Sequence, residues 1–86
     1  MSIQNQMPLV EAVVRALLLL ETSSEREIDP DVAVRGMEDI AASLLALDEE
    51  DQRLLRTALF ALSASTEEPS YRRFIAGVGD MIGLIE

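Results

Sequence analysis

The side chains that could do chemistry are sixteen carboxylates, seven arginines and a scatter of hydroxyls. There is no histidine, the side chain whose ordinary pKa suits it to general base work near neutrality. There is no cysteine, which removes thiolate nucleophiles, thiolate metal ligands and disulfides. All seven cations are arginines, so no lysine can form a Schiff base or complete a phosphate-binding loop. Arginine stays charged and acts by clamping. Ser23, Ser24, Ser63, Ser65 and Ser70 have no base to activate them. An enzyme is not expected; the remote alternative is a carboxylate-based one, with two acids facing each other across a pocket.

Metals and cofactors are not expected either. The run Asp48-Glu49-Glu50-Asp51 lacks the alternating ligands and central glycine of a calcium loop, and consecutive residues on a helix point in different directions. No glycine-rich phosphate loop follows a strand.

The charge is unevenly placed. The formal net charge is −9, and residues 21–51 hold eleven acids against two bases, so the whole surplus lies there. Asp29, Asp31 and Asp48 to Asp51 fall at expected helix N-termini, where capping and the macrodipole favour carboxylates. Glu21, Glu25, Glu27, Glu38 and Asp39 have no such role. They form either a solvated face or a docking surface for a basic partner. The same charge argues against nucleic acid and anionic membrane as partners. The pairs Arg53/Arg56 and Arg72/Arg73 are read as ion-pair partners for the chain's many acids.

The elements that must carry these groups are helices. Apolar residues make up 49% of the 86-residue chain, too many for a disordered tail and enough for one small domain with a thin core. Residues 1–6 are expected to fray. Helices are expected over about Pro8 to Glu21, Pro30 to Ala46, Glu49 to Ala64 and Pro69 to Leu84. Prolines sit at three of these starts, and Asp29 and Asp48 are the natural N-caps. Apolar spacing gives inward faces of Ala33, Met37, Ile40, Ala41, Leu44 and Leu47, then Leu54, Leu55, Ala58, Leu59 and Leu62. The fourth face is Tyr71, Phe74, Ile75, Val78, Met81, Ile82 and Ile85. Gly36 falls off its helix's core face. Gly79 and Gly83 make a strip where another helix could come close, or else the last helix kinks after Ala76. No period-two alternation predicts a strand.

The first helix is apolar around nearly all of its circumference apart from Glu11 and Arg15, four apart in the favourable order. The expected architecture is therefore an all-α antiparallel bundle of three to four helices. The first helix is either central or paired with its own copy, with Val14, Leu17 and Leu18 at the dimer seam. Its apolar stretch is interrupted by Glu11 and Arg15 and is shorter than a bilayer span; with no signal-peptide pattern, the cytoplasm is the expected location. Arginine without lysine, with abundant Ala and Leu, points to a GC-rich bacterial genome.

In size, charge and helicity the chain is similar to small acidic helical proteins of bacteria that inhibit or escort another protein: immunity proteins, antitoxins, secretion chaperones and phage-encoded inhibitors. The expected function is a non-enzymatic, inhibitor-type module that blocks a basic toxin or enzyme. The candidate contact residues are Glu25, Glu27, Asp31, Glu38, Asp39 and Phe60. The alternative is a structural or adaptor subunit of a larger assembly. Phe60 lies off the core stripe beside Arg53, Arg56 and Thr57. It is either a partner anchor or ordinary core covered by the fourth or a second chain's first helix.

Overall fold

A computed structural model describes residues 6–85; the expected fraying of residues 1–5 lies outside them. Four α-helices follow in order: α1 Met7–Thr22, α2 Pro30–Leu45, α3 Glu49–Ser65 and α4 Pro69–Ile82. The described residues contain no strand. No helix among them is long and apolar enough to cross a membrane.

The helix starts follow from their caps. Asp29 accepts from the backbone N–H of Asp31 and Val32, and Asp48 from that of Asp51, which satisfies donors that a helix start leaves orphaned. Prolines in the first turns of α1, α2 and α4 have no N–H to lose there. Glu68 caps α4, with Ser70 and Tyr71 N–H both donating to its carboxylate.

Helix α4 runs unbroken through Gly77 and Gly79 and stops at Ile82. The stop is a left-handed Gly83 at φ 86°, a conformation open to glycine because it lacks Cβ. The N–H groups of Gly83 and Leu84 both return to the Gly79 carbonyl at 3.1 and 2.9 Å, and Leu84 tucks into the core, as in a Schellman ending.

α3 and α4 form the closest pair; α1 packs on α2, α3 and α4, and α2 on α1 and α4. Although consecutive in the chain, α2 and α3 therefore stand at diagonal corners. The core is built from Val10, Val14 and Leu17 of α1, Leu55, Ala58, Leu59 and Leu62 of α3, and Ile75, Val78 and Ile82 of α4. Met37, Ile40, Ala41 and Leu44 of α2 pack against it only partly buried, and Ala33 is the one buried residue of that helix.

Several expectations are corrected. Leu54 and Met81 are exposed rather than core, because each sits at the edge of its apolar stripe. Gly36 is not off the contact face: a Cβ there would meet the Leu20 side chain at 3.0 Å, so α1 and α2 approach each other at this point. Gly79 receives no helix. It faces the Arg56 guanidinium, which a Cβ would meet at 3.1 Å. Helix α1 is not enclosed: Val10, Val14 and Leu17 face inward while Leu9 and Leu19 lie open to solvent. Val14 and Leu17, expected at a dimer seam, are fully buried within one chain and leave nothing to offer a second copy. Leu18 is half-buried beside the Glu11–Arg15 row.

Arg56 closes the chain end. Its Nη2 donates to the Leu84 carbonyl at 2.8 Å, its Nε to the Ile85 carbonyl at 3.1 Å, and both Nη atoms reach Asp80 at 3.3 Å. One turn earlier, Gln52 Nε2 donates to the Leu45 and Leu47 carbonyls at the end of α2, while its Oε1 accepts from Ile85 N–H. The Arg56 side chain is 17% exposed and the Asp80 side chain 78%, so the carbonyl bonds outweigh the screened ion pair. Arg56→Ala is expected to cost about 1.5–3 kcal/mol, and Asp80→Asn under about 0.5 kcal/mol; chemical denaturation of the two variants checks the order.

Candidate acidic docking site

Three of the surplus acids, Glu21, Glu25 and Glu38, gather where α1 ends and α2 passes it. A hollow of about 230 Å³ has an apolar floor of Leu17, Val34, Met37, Ala41, Met81 and Ile82, with Glu21 and Glu38 on its rim. Beside it a second hollow of about 190 Å³ is lined by Leu20, Ile28, Ala33, Val34 and Met37, with Glu21 and Glu25. Glu21, Val34 and Met37 belong to both hollows, so the two form one depression with three carboxylates around it. Glu21, Glu25 and Glu38 are all exposed. None of the three takes part in an ion pair among the described residues, where the pairs are Glu11–Arg15, Glu49–Arg53 and Arg56–Asp80.

Of the candidate contact residues, the structure thus brings Glu25 and Glu38 together, around Glu21. Asp31 and Asp39 are exposed on α2 but line neither hollow. Glu27 serves the α1–α2 connection, accepting from Ser24 N–H at 3.0 Å. That bond holds the Glu27 carboxyl below the usual carboxylate range. Phe60 is 55% exposed on the outward side of α3, at the corner diagonal to α2, so it shares no surface with the acids. Its neighbours Arg53, Thr57 and Ala64 are exposed with it, and the reading of Phe60 as covered core fails within a single chain.

An apolar floor with a carboxylate rim suits a long basic side chain. The methylene stem of an arginine or lysine would lie on Val34 and Met37, and its charged head would reach Glu21, Glu25 or Glu38. Besides these carboxylates the depression is lined by the Ser23 hydroxyl, which donates to the Leu19 carbonyl. Among the described residues no three carboxylates converge closely enough to hold a metal ion. A third concavity of about 200 Å³ lies between α1, α3, α4 and the end of α2. Aliphatic side chains line it apart from Gln6, and it holds no carboxylate.

Sequence reasoning set Glu21 aside from the contact residues. Its signal was present: a carboxylate with no capping position and no cation one turn away. Gln52 and the clamping role of Arg56 carried no signal, because their partners lie 24 to 33 residues away along the chain, apart from the Gln52 bonds to Leu45 and Leu47. Comparison with known proteins returns no matching family model, no similar curated protein and no similar solved structure.

Two outcomes follow from this geometry. Phe60→Ala removes a side chain that is mostly in water, so stability should change by no more than about 0.5 kcal/mol, measured by thermal melting. Glu27 and Glu68 both have carboxyls held low by backbone N–H donors. A carboxylate whose pKa is lowered on folding stabilises the fold above its unfolded value and loses that contribution as pH falls through the lowered one. The protein should therefore weaken below the ordinary carboxylate range, and the Glu27→Gln, Glu68→Gln double variant should show a shallower acid-side fall in melting temperature.

Proposed function

We propose that the chain is a non-enzymatic protein-binding module of bacterial cytoplasm, an inhibitor of immunity or antitoxin type that occupies a basic site on a toxin or enzyme. The observation that carries the reading is the depression between α1 and α2, where Glu21, Glu25 and Glu38 rim an apolar floor without cations of their own. A basic side chain of the partner gains both burial of its stem and charge-assisted hydrogen bonds there. The surrounding field of Asp31 and Asp39 speeds encounter and disfavours acidic competitors. In this reading the chain acts as a homodimer joined through α1, and neither nucleic acid nor membrane is its target.

A second reading, a structural or adaptor subunit of a larger assembly, draws on Leu9, Leu19 and Phe60, each more than half exposed. Large apolar side chains in water mark surfaces that a neighbour covers.

The test begins with affinity capture from the native host and proceeds to kinetics with the protein that co-purifies. Glu21→Arg, Glu25→Arg and Glu38→Arg together should slow association at least tenfold and flatten its dependence on ionic strength. The fold should survive, since all three side chains are exposed, and circular dichroism checks that. Association rates indifferent to both the reversals and salt would refute the docking role.

A further inference from the structure

We infer that two copies of the chain pair antiparallel through the outward face of α1, with Leu9, Ala12, Ala16 and Leu19 as the seam. This rests on the self-association read above and gives it a face and a direction. The four residues stand at spacings of three, four and three, the rhythm of a coiled-coil seam. Leu9 is 61% and Leu19 59% exposed, and Ala12 and Ala16 are exposed between them. The core-facing row of Val10, Val14 and Leu17 lies on the opposite side of the same helix.

The stripe reads the same in both directions: large, small, small, large about residue 14. A two-fold axis at that point sets Leu9 against Leu19 and Ala12 against Ala16 of the second copy. The alanines let the two backbones approach closely, and the leucines close the ends.

The flanks decide the direction. The polar row of Glu11 and Arg15, paired at 3.0 Å, flanks one side of the stripe; half-buried Val13 and Leu20 flank the other. An antiparallel pair brings like flanks together. At a rise of about 1.5 Å per residue, both Glu11 and Arg15 of the second copy then stand about 3 Å along the axis from Arg15. The two polar rows then run beside each other, each Arg15 keeping its own Glu11 partner, and the two apolar flanks meet. A parallel pair sets each charged row against the other copy's Val13 and Leu20.

The apolar groove fits the same arrangement. Leu9 and Val13 form its α1 wall, and Leu44, Leu47, Leu55 and Ile82 lie across from them. The antiparallel register carries Leu19 of the second copy to Leu9, at the mouth of this groove. The acidic depression adjoins the seam at Leu20, which lines it, while Glu21 continues the inward row one turn beyond Leu17. A 16-residue helix buries less than the roughly 800 Å² per partner of a standard interface, so the dissociation constant should be on the order of tens of micromolar.

Sedimentation equilibrium from about 5 to 500 µM should show monomer passing to dimer. Leu19→Glu, which lies outside the groove, should leave a monomer at every concentration with an unchanged melting temperature. The chain has no cysteine of its own, so direction can be read by crosslinking. A mixture of Ala12→Cys and Ala16→Cys chains should oxidise mainly to the mixed disulfide, with little homodisulfide from either chain alone. A wild-type monomer across the range overturns the pairing and the self-association beneath it. A dimer that survives Leu19→Glu, or homodisulfides that match the mixed one, overturns the seam or its direction while leaving self-association and the acidic site standing.

Discussion

Two side chains one turn apart on α3 hold the ends of two other helices. Gln52 takes the last carbonyls of α2 and the N–H of Ile85. Arg56 takes the carbonyls that follow α4 and lies flat on Gly79. A helix C-terminus leaves four carbonyls without internal partners, and this chain has no cation in the last turn of any helix to serve them locally. Hydroxyls of Thr22, Ser23, Ser65 and Thr66 serve the ends of α1 and α3 locally, while the carbonyls that end α2 and follow α4 take their bonds from α3. Gly79 is what allows the guanidinium so close, and Gly83 is what turns Leu84 and Ile85 back toward it. The α3–α4 pair is fixed by these contacts as much as by Leu59, Ile75 and Val78, and the other two helices are laid against it.

The consequence falls on α2. It buries only Ala33, keeps Val32, Val34 and Leu45 largely in water, and lies diagonal to the helix that anchors its end. Self-repulsion among like charges opposes folding, and it does least harm on an element that contributes least to the core. The acids of residues 21–51 occupy that element and the loops on either side of it. A surface carried by the least buried helix loses little stability when its side chains are chosen for something other than packing, which is why its composition is open to a binding role.

The helix starts were legible because each is written in local chemistry: Pro8, Asp29-Pro30, Asp48 and Pro69 act within one turn. Glu68 was not, since glutamate is a poor N-cap by type and works here only because Ser70 and Tyr71 N–H both reach it. The inward faces of α2, α3 and α4 followed from spacing except at the edges, Leu54 and Met81, where a stripe one residue wider than its partner meets water. Helix α1 defeated periodicity for a different reason. It carries two apolar stripes on opposite sides, and spacing cannot tell which one its own chain covers. Val14 and Leu17 belong to the covered stripe, Leu9 and Leu19 to the other. The acidic depression was half legible: Glu25 and Glu38 stood out by lacking a capping role, but their meeting at Glu21 depends on the close crossing of α1 and α2 at Leu20 and Gly36, which no local pattern encodes.

The proposed seam on α1 and the proposed docking surface beside it should respond to salt in opposite ways. Each copy brings a net charge of −9, so pairing two copies works against long-range repulsion that ions screen beyond about 10 Å at 0.1 M. The seam itself is mainly leucine and alanine, and its exposed Glu11–Arg15 rows contribute little that salt could remove. Added salt should therefore strengthen the proposed pairing. Docking a basic partner on Glu21, Glu25 and Glu38 draws on attraction of the same range, and added salt weakens it. In the proposed readings, the charge that would draw the chain toward a cationic partner would thus also hold its copies apart at low ionic strength, so the acidic surface and the apolar stripe would oppose rather than support each other.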